Sequence, residues 1–334
     1  MNRKNLAIVF TGGTIAMKAS KRKGGAVPSL KGRDILAQVV DVSRLAQITV
    51  HDFGQYPGPH MTPQLMLQLL KIVKKYVDKK DVAGVIVTHG TDTLEETAYF
   101  LDLSLQTRKP VVVVGAMKDC TELGWDGPSN LVGAVRTALA PEAANKGVLV
   151  FLNDTINSAG EVTKTSTDSF ETFRSLDLGP LGWVDQDRVL FYRQPLFREN
   201  YPVKKIEPRV DLFKMAVGMD DRMLRYSISS GARGLVIEGM GRGNVPPAVV
   251  PGIRAAVNKE IPVILCSRCI GGRVLDAYAY EGGGRQLRRL GAILGGLLPG
   301  QKARIKLMIL LGQGMSEPEI KRAFERREYQ ACKS

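Results

Sequence analysis

The chain has 334 residues, of which 44% are hydrophobic, and a formal net charge of +14. This length favours two domains over a single core, and the hydrophobic content excludes disorder, a collagen repeat and a disulfide scaffold. The first apolar stretch, Leu6–Phe10, is too short for a signal sequence, so we expect a cytoplasmic protein that does not enter a membrane.

Charge and cysteine are the unusual features of the composition. The last fifty residues hold eleven basic and four acidic side chains, which is half of the net excess. A basic excess can attract nucleic acid, but the interleaved aromatic side chains of single-strand binders are missing, so we expect a solvated face without that partner. The four cysteines fit a reducing compartment. Cys266 and Cys269 form a lone C-x-x-C pair, which we expect to be two buried structural thiols rather than a zinc site.

In the first half of the chain, short apolar runs alternate with amphipathic stretches, which predicts an α/β fold with a mostly parallel sheet. Thr62 and Pro63 predict the start of a helix whose apolar residues recur at helical spacing up to Val77. The apolar runs predict strands at Leu6–Phe10, Gly84–Val87, Val111–Val114 and Val148–Leu152.

The second half repeats this pattern on a smaller scale. Strands are predicted at Gly234–Ile237 and Pro262–Leu265, with a helix over Pro251–Asn258 between them. Near the end, Ser316 and Glu319 predict a capping box that opens a final basic helix.

The stretch from 194 to 210 contains three prolines and mixed charge and has weak periodicity, which is typical of a connector. We therefore predict a larger N-terminal domain over residues 1–193, a linker over 194–210 and a smaller C-terminal α/β domain over 211–334.

Two polar segments directly follow predicted strands. Thr11–Thr14 (Thr-Gly-Gly-Thr) follows the first strand, and His89–Asp92 (His-Gly-Thr-Asp) follows the strand that begins at Gly84. Ligands bind at the carboxyl ends of parallel strands, where glycines let the backbone approach a ligand and stabilise an oxyanion. Thr14 and Thr91 are therefore candidate nucleophiles. The first segment is also consistent with a tight turn or a phosphate-binding nest.

A threonine hydroxyl is a poor nucleophile unless a base accepts its proton. Lys164 is a candidate base, because a desolvated lysine near a carboxylate can accept a proton; the alternative is an ordinary surface lysine. Asp92 either caps a helix that starts at Thr93, or lies outside a helix for which Thr93 is itself the N-cap. Only the second arrangement leaves Asp92 available for chemistry. We expect His89 to pack at the end of its strand.

The segments Ile8–Ala16 and Gly84–Leu94 resemble both signature motifs of the bacterial-type L-asparaginase/glutaminase family, in its cytoplasmic, asparaginase I-like form. The resemblance covers essentially the full length. It implies a large N-terminal and a smaller C-terminal α/β domain, no metal or organic cofactor, and a homodimer or homotetramer in which a neighbour completes each active site. Supporting matches lie at Glu95–Ala98, Val114–Met117, Asp126–Pro128, Asn130, Asn153–Asp154, Thr163–Thr165 and Gln301–Arg304.

The resemblance also implies catalytic roles for four residues. Thr14 corresponds to the nucleophile that attacks the side-chain amide carbon of the substrate. Thr91, Lys164 and Asp92 correspond to a second hydroxyl–base–carboxylate set, which activates either the nucleophile or the hydrolytic water.

The resemblance also implies four substrate-binding positions and one residue contributed by a partner subunit. Asp92 would pair with the α-ammonium group, and the carbonyl of Ala116 would accept from the leaving amide. Gly90, in the second motif, is a further candidate substrate-binding residue. His60 lies where the α-carboxylate pocket is expected, and either binds that carboxylate or packs at the start of the following helix. Asn244 corresponds to a residue lent by a partner subunit; the alternative is a glycine-rich turn.

The chain departs from the family in the loop after the first motif. A tyrosine that normally helps to activate the nucleophile is replaced by Ala26 or Val27. The loop is also unusually basic, with Lys18, Lys21, Arg22, Lys23, Lys31 and Arg33. A second departure is the sequence Gly58-Pro59-His60, where the family often has a polar run.

Hydrolysis of L-asparagine to L-aspartate and ammonia is the function that these residues favour. One alternative is an amidotransferase subunit acting with tRNA, which the positive charge suits but whose additional N-terminal domain has no room before Ile8. The other is a catalytically inactive small-molecule-binding homologue, which the missing tyrosine favours and the intact catalytic set opposes.

Overall fold

The structure is a computed structural model that describes residues 3–186 and 188–330. The chain divides into two compact units, the first ending at Pro202 and the second beginning at Val203. Residues 192–209, all of them described, contain no helix or strand. The division between the units falls inside the predicted linker, whose bounds at 194 and 210 stay a prediction.

Strands and α-helices alternate in the first unit from β4 to β7, as predicted for the first half of the chain. Its helices are α1 (Gly32–Ala37), α2 (Val40–Leu45), α3 (Pro63–Val77), α4 (Leu94–Ser104) and α5 (Gly127–Leu139). Its strands are β1 (Asn5–Gly12), β2 (Met17–Ser20), β3 (Gly25–Pro28), β4 (Gln47–Tyr56), β5 (Val82–Thr88), β6 (Val111–Val114), β7 (Val148–Leu152), β8 (Thr155–Ser158), β9 (Thr163–Lys164), β10 (Phe173–Arg174), β11 (Gly182–Asp185) and β12 (Arg188–Phe191).

Eight of the described strands form one sheet in the order β12-β11-β8-β7-β6-β5-β1-β4. The neighbours from β4 to β7 pair in parallel, whereas β8, β11 and β12 pair antiparallel. Two short hairpins, β2–β3 and β9–β10, lie outside this sheet. The predicted α/β fold with a mostly parallel sheet is confirmed.

The central strands form because their β-branched residues can be buried on both faces. All four valines of β6 are fully buried, as expected for a parallel strand covered by helices on both sides. In α3 the hydroxyl of Thr62 accepts a hydrogen bond from the N–H of Leu65 at 3.2 Å, which makes Thr62 the predicted N-cap. Such a cap stabilises a helix by about 1 kcal/mol.

The second unit is a smaller α/β domain with a four-stranded parallel sheet in the order β13-β14-β15-β16. Its helices are α6 (Arg222–Ser229), α7 (Val250–Val257), α8 (Gly284–Arg289), α9 (Gly300–Gly312) and α10 (Glu317–Gln330). Its strands are β13 (Val210–Lys214), β14 (Gly234–Gly239), β15 (Val263–Ser267) and β16 (Ile293–Leu294).

The capping box at the last helix is half formed. The backbone N–H of Ser316 donates to Glu319 Oε2 at 2.8 Å, as the box requires. The hydroxyl of Ser316 donates to the same oxygen at 2.7 Å instead of accepting from the helix backbone.

The prediction of two buried thiols is confirmed for Cys266 and wrong for Cys269. Cys266 is fully buried on β15, and burial raises the pKa of its thiol. Cys269 lies beyond the end of β15 and is exposed, because the chain has left the sheet by that position. Over the described ranges, none of the helices is both long and apolar enough to cross a bilayer.

Candidate active site

The two motif segments meet at the carboxyl edge of the large sheet. β1 and β5 lie side by side with Phe10 opposite Thr88, so the segments that follow them leave the sheet at the same edge. β4 lies on the other side of β1 and ends at Tyr56, opposite Gly12. Three loops therefore converge at one place.

These loops touch through glycines whose surroundings leave no room for a side chain. Gly13 has φ of +80°, and a Cβ there would lie 2.4 Å from the backbone nitrogen of Gly90. A Cβ on Gly90 would in turn lie 2.6 Å from the backbone nitrogen of Gly58. Thr14 and Thr91 each follow one of these glycines, so each hydroxyl lies one residue beyond the point where the loops cross.

The first motif is a tight turn rather than an open phosphate nest. The N–H of Gly13 donates to the carbonyl of Tyr56 at 3.0 Å, so it does not face an anion. Thr14 then begins a short 3₁₀ helix that ends at Ala16, and its side chain is half-buried.

Thr91, Asp92 and Lys164 come together although Lys164 is more than seventy residues away from the other two in sequence. Lys164 Nζ donates to Thr91 Oγ1 at 3.0 Å and lies 2.8 Å from Asp92 Oδ1. Thr91 is 6% exposed. The side chain of Lys164 is 14% exposed and that of Asp92 is 60% exposed. The amine is thus sheltered beside the hydroxyl, while the carboxylate still faces solvent and can meet a charged ligand.

A buried carboxylate fixes the strand that carries Lys164. Glu95 Oε1 accepts from the backbone N–H of Lys164 and from the hydroxyl of Thr163, each at 3.2 Å. Glu95 is 5% exposed and lies in the first turn of α4. In the sequence, Glu95 is identified only within the supporting match Glu95–Ala98, and no local pattern could have shown its partners on β9.

The helix after the second motif starts one residue later than the simplest capping arrangement. α4 begins at Leu94 with Thr93 as N-cap, so Thr91 and Asp92 lie outside the helix, as the second predicted arrangement requires. The side chain of Thr93 makes no capping hydrogen bond to the helix backbone. The hydroxyl of Thr93 donates instead to the carbonyl of Gly58 at 2.7 Å and ties the β4 loop to the second motif.

The loop that lacks the tyrosine is an antiparallel hairpin, β2–β3. Ala26 pairs with Ala19 and Val27 pairs with Lys18. The hairpin is attached to the loop after β6 by a hydrogen bond from the N–H of Ala19 to Thr121 Oγ1 at 3.2 Å. All six basic side chains that distinguish this loop in the sequence are exposed.

The turn that contains Ala116 packs directly against Thr91. A Cβ on Gly115 would lie 3.1 Å from Thr91 Cγ2 and 2.8 Å from the carbonyl oxygen of His89. Ala116 is fully buried in this conformation, and its role as acceptor of the leaving amide stays a prediction.

The two histidines near the motifs have different environments. His89 is 1% exposed, and its Nδ1 lies 2.9 Å from the carbonyl oxygen of Gly90, so this nitrogen carries the proton. Burial lowers the pKa of His89 to about 4, and the imidazole is neutral at neutral pH. The expectation that His89 packs at the strand end is confirmed. His60 ends a short 3₁₀ helix (Gly58–His60) and is exposed, which excludes the packed alternative; carboxylate binding stays a prediction.

Asn244 lies in the second unit, in the turn after β14. Its Oδ1 accepts from the backbone N–H of Gly284 at 3.2 Å, and its own N–H donates to the carbonyl of Met240 at 3.0 Å. Asn244 therefore stabilises a turn of its own domain, and a role toward a partner subunit stays a prediction. Across residues 3–186 and 188–330, no group of three or more His, Cys, Asp or Glu side chains is placed to hold a metal ion.

The site defines a class of protein: an α/β enzyme in which a sheltered lysine contacts a threonine hydroxyl at the carboxyl edge of a parallel sheet. The family model described as "Asparaginase, N-terminal" matches residues 5–197, and the one described as "Glutaminase/Asparaginase C-terminal domain" matches residues 209–324. The chain belongs to the asparaginase family.

Curated relatives agree over nearly the full length. The chain is 35% identical to an L-asparaginase of Bacillus licheniformis, over 93% of this chain and 96% of the relative. It is 37% identical to a probable L-asparaginase of Deinococcus radiodurans, over 96% of both chains. It is 32% identical to L-asparaginase 2 of Escherichia coli, over 96% of this chain and 92% of the relative.

Proposed function

We propose that the protein hydrolyses the side-chain amide of L-asparagine to give L-aspartate and ammonia. The observation that carries this proposal is the contact of Lys164 Nζ with both Thr91 Oγ1 and Asp92 Oδ1, at 3.0 and 2.8 Å. This contact lies next to the place where the backbones of Gly13 and Gly90 meet, and Thr14 directly follows Gly13. The names of the relatives support the same substrate.

The reaction divides into two steps of ordinary acyl transfer. In the first, Thr14 Oγ1 attacks the amide carbon, the C–N bond breaks, and the threonine proton leaves with the amine as ammonia. In the second, water attacks the resulting ester, its proton returns to Thr14 Oγ1, and aspartate is released. The Thr91–Lys164–Asp92 set relays the proton either from Thr14 or from the water, because its amine is the basic group that contacts a hydroxyl in the site.

Substrate binding follows from charge and exposure. Asp92 is exposed enough to pair with the α-ammonium group of the amino acid, which is a charge-assisted interaction. Gly90 brings the backbone close to the ligand, and the exposed side chain of His60 is available for the α-carboxylate. The carbonyl of Ala116 accepts from the leaving amide group.

The compartment and the assembly belong to the same proposal. We infer a cytoplasmic enzyme, which the thiols of Cys120, Cys266 and Cys269 support, since free thiols persist in reducing compartments. We also infer a homo-oligomer in which Asn244 of one subunit serves the site of another.

Replacement of the nucleophile tests the proposal. Thr14→Ala should lower kcat at least about 1000-fold while leaving the fold intact, because it removes one small polar group that is half-buried. Ammonia release from L-asparagine, L-glutamine and their D-isomers measures the effect. Thr49→Ala is the matched control: Thr49 is also half-buried, but its hydroxyl bonds Asn5 on β1 in the body of the sheet.

The control should keep the wild-type rate. Retention of more than a tenth of that rate by Thr14→Ala on every amide would contradict the nucleophile assignment. A folded wild-type protein that releases ammonia from none of these amides would point to the inactive, small-molecule-binding alternative.

A further inference from the structure

The carboxylate of Asp126 is used in an unexpected way. Asp126 occupies the N-cap position of α5, where an aspartate ordinarily accepts from the N–H groups of its own helix, yet its side chain makes no such bond. Asp126 Oδ2 accepts from the N–H of Met117 at 2.9 Å, and Oδ1 accepts from the N–H of Lys118 at 3.0 Å. The side chain therefore reaches back to the turn between β6 and α5.

A second side chain of α5 fixes the other side of the same turn. Asn130 is 2% exposed, and its Nδ2 donates to the carbonyl of Gly115 at 3.1 Å and to Asp126 Oδ2 at 2.9 Å. Its Oδ1 accepts from the N–H of Asn153 at 3.0 Å. The carbonyl before Ala116 and the N–H after it are thus both tied to side chains of one helix.

Peptide geometry shows how these bonds orient the carbonyl of Ala116. The carbonyl of Ala116 and the N–H of Met117 belong to one planar peptide unit and point in opposite directions. Because Asp126 takes the N–H, the carbonyl oxygen of Ala116 must point away from Asp126. We infer that Asp126 and Asn130 are positioning residues that hold and polarise the Ala116 carbonyl as the acceptor of the leaving amide.

Two effects act in the same direction. The bonds to Asp126 prevent rotation of the peptide, so the acceptor is in place before the substrate arrives. A negative charge on the N–H side also polarises the peptide unit and makes its oxygen a stronger acceptor. Neither effect changes the rate for a leaving group that has no N–H. A comparison of two leaving groups therefore distinguishes a positioning role from a purely structural one.

The inference rests on the proposed function, and a comparison of two leaving groups tests it. L-Asparagine offers the leaving NH₂ group to Ala116, whereas the β-methyl ester of L-aspartate offers no N–H. Asp126→Asn keeps the shape but removes the negative charge, and it leaves one acceptor oxygen where the carboxylate offers two to the N–H groups of Met117 and Lys118. We expect kcat/KM for asparagine to fall about tenfold more than kcat/KM for the ester, because kcat/KM reports the step in which the leaving group departs.

A matched control separates this effect from loss of stability. Asp102 is buried in the same unit and also accepts a backbone N–H, from Val148 at 2.8 Å, but it lies on α4 away from the turn. Asp102→Asn should leave the amide-to-ester ratio unchanged even if it destabilises the fold. If Asp126→Asn does not fold, Asn130→Ser replaces it, with an expected shift of about threefold in the same direction.

Each outcome is decisive. A shifted ratio in the Asp126 or Asn130 variant, with an unshifted ratio in the control, supports the inference. Equal losses on amide and ester in those variants overturn it while leaving asparagine hydrolysis standing. A wild-type enzyme that hydrolyses neither substrate overturns the proposed function, and the inference with it.

Discussion

At the scale of single residues, His89 is the one buried histidine near the site among the described residues. Its surroundings disfavour a role in proton transfer. His89 is fully enclosed, its Nδ1 proton is held by the carbonyl of Gly90, and its pKa is lowered to about 4 by burial. Protonation of His89 near neutrality is therefore unfavourable, and the amine of Lys164 is left as the group that can exchange a proton with Thr91.

The buried histidine predicts how stability depends on acidity. Its folded pKa of about 4 lies below the ordinary value of 6.5, so the unfolded chain binds the proton first as the pH falls. The free energy of unfolding should fall by about 3 kcal/mol between pH 6.5 and 4 on account of this group alone. In His89→Gln the decline over this range should be smaller by that amount, measured by urea unfolding at a series of pH values.

His60→Gln is the control for this prediction, because the side chain of His60 is exposed. It should keep the wild-type dependence. If His89→Gln and wild type lose stability in parallel from pH 6.5 to 4, the imidazole of His89 is not held neutral by the fold.

The sequence predicts roles for Thr14, Thr91, Asp92 and Lys164 because these residues lie in short local motifs. It did not identify the work of Glu95 or Asp126, whose hydrogen-bond partners are set by tertiary structure. Glu95 reads locally as a capping residue, but its carboxylate contacts Lys164, which is 69 positions further along the chain. A local pattern cannot encode such a contact.

At the scale of elements, the position of Lys164, the proposed base, depends on the junction of α4 with the short strand β9. β9 has two residues and pairs with β10 alone, so its own hydrogen bonds hold it weakly. The buried carboxylate of Glu95 supplies two further bonds, one of them to the backbone N–H of Lys164 itself. The helix that follows the second motif thereby fixes the position of the base.

Removal of this carboxylate should disturb catalysis more than it disturbs the fold. We expect Glu95→Ala to lower kcat about 100-fold, because β9 loses two hydrogen bonds and Lys164 Nζ is then no longer held next to Thr91 Oγ1. Glu95→Gln keeps one acceptor oxygen and should recover most of that loss. The measurement is kcat for asparagine together with the unfolding midpoint in urea.

Asp102→Ala is the matched control on the same helix. Asp102 and Glu95 are each 5% exposed, and each accepts a backbone N–H from a strand. The control should lose about 1–3 kcal/mol of stability and keep its kcat. Equal values of kcat in Glu95→Ala and Asp102→Ala would mean that Glu95 is structural only.

The elements that the sequence predicts well are those with strong periodicity. The strands beginning near Leu6, Gly84, Val111 and Val148 are fully buried, so each reads as a continuous apolar run. β4 was not predicted, because it is the edge strand of the sheet, only partly buried, and interrupted by His51, Asp52 and Gly54. The short antiparallel strands β8, β11 and β12 were missed because each mixes polar and apolar residues over four positions, unlike the four valines of β6.

At the scale of the whole molecule, the proposed catalytic set lies entirely within the first unit. Thr14, Thr91, Asp92 and Lys164 all precede the division after Pro202. The predicted contribution of the second unit is Asn244, which stabilises a turn next to Gly284 in its own domain. If Asn244 also serves a site, symmetry of a closed dimer allows that site to belong to the partner subunit.

Subunit mixing distinguishes a contribution in trans from one within the same chain. Thr14→Ala and Asn244→Ala chains, each nearly inactive alone, are unfolded together and refolded as an equimolar mixture. If Asn244 acts in trans, a mixed dimer has one site that combines both substitutions and one site that contains neither. With random pairing, half of the dimers are mixed, so the mixture should recover about a quarter of the wild-type activity. If Asn244 acts within its own chain, no site of the mixed dimer is intact. If Asn244 only stabilises its turn, the Asn244→Ala chain keeps its activity when assayed alone. Activity no higher than the mean of the two separate variants would therefore contradict a shared active site, and sedimentation of a fully active monomer would do so independently.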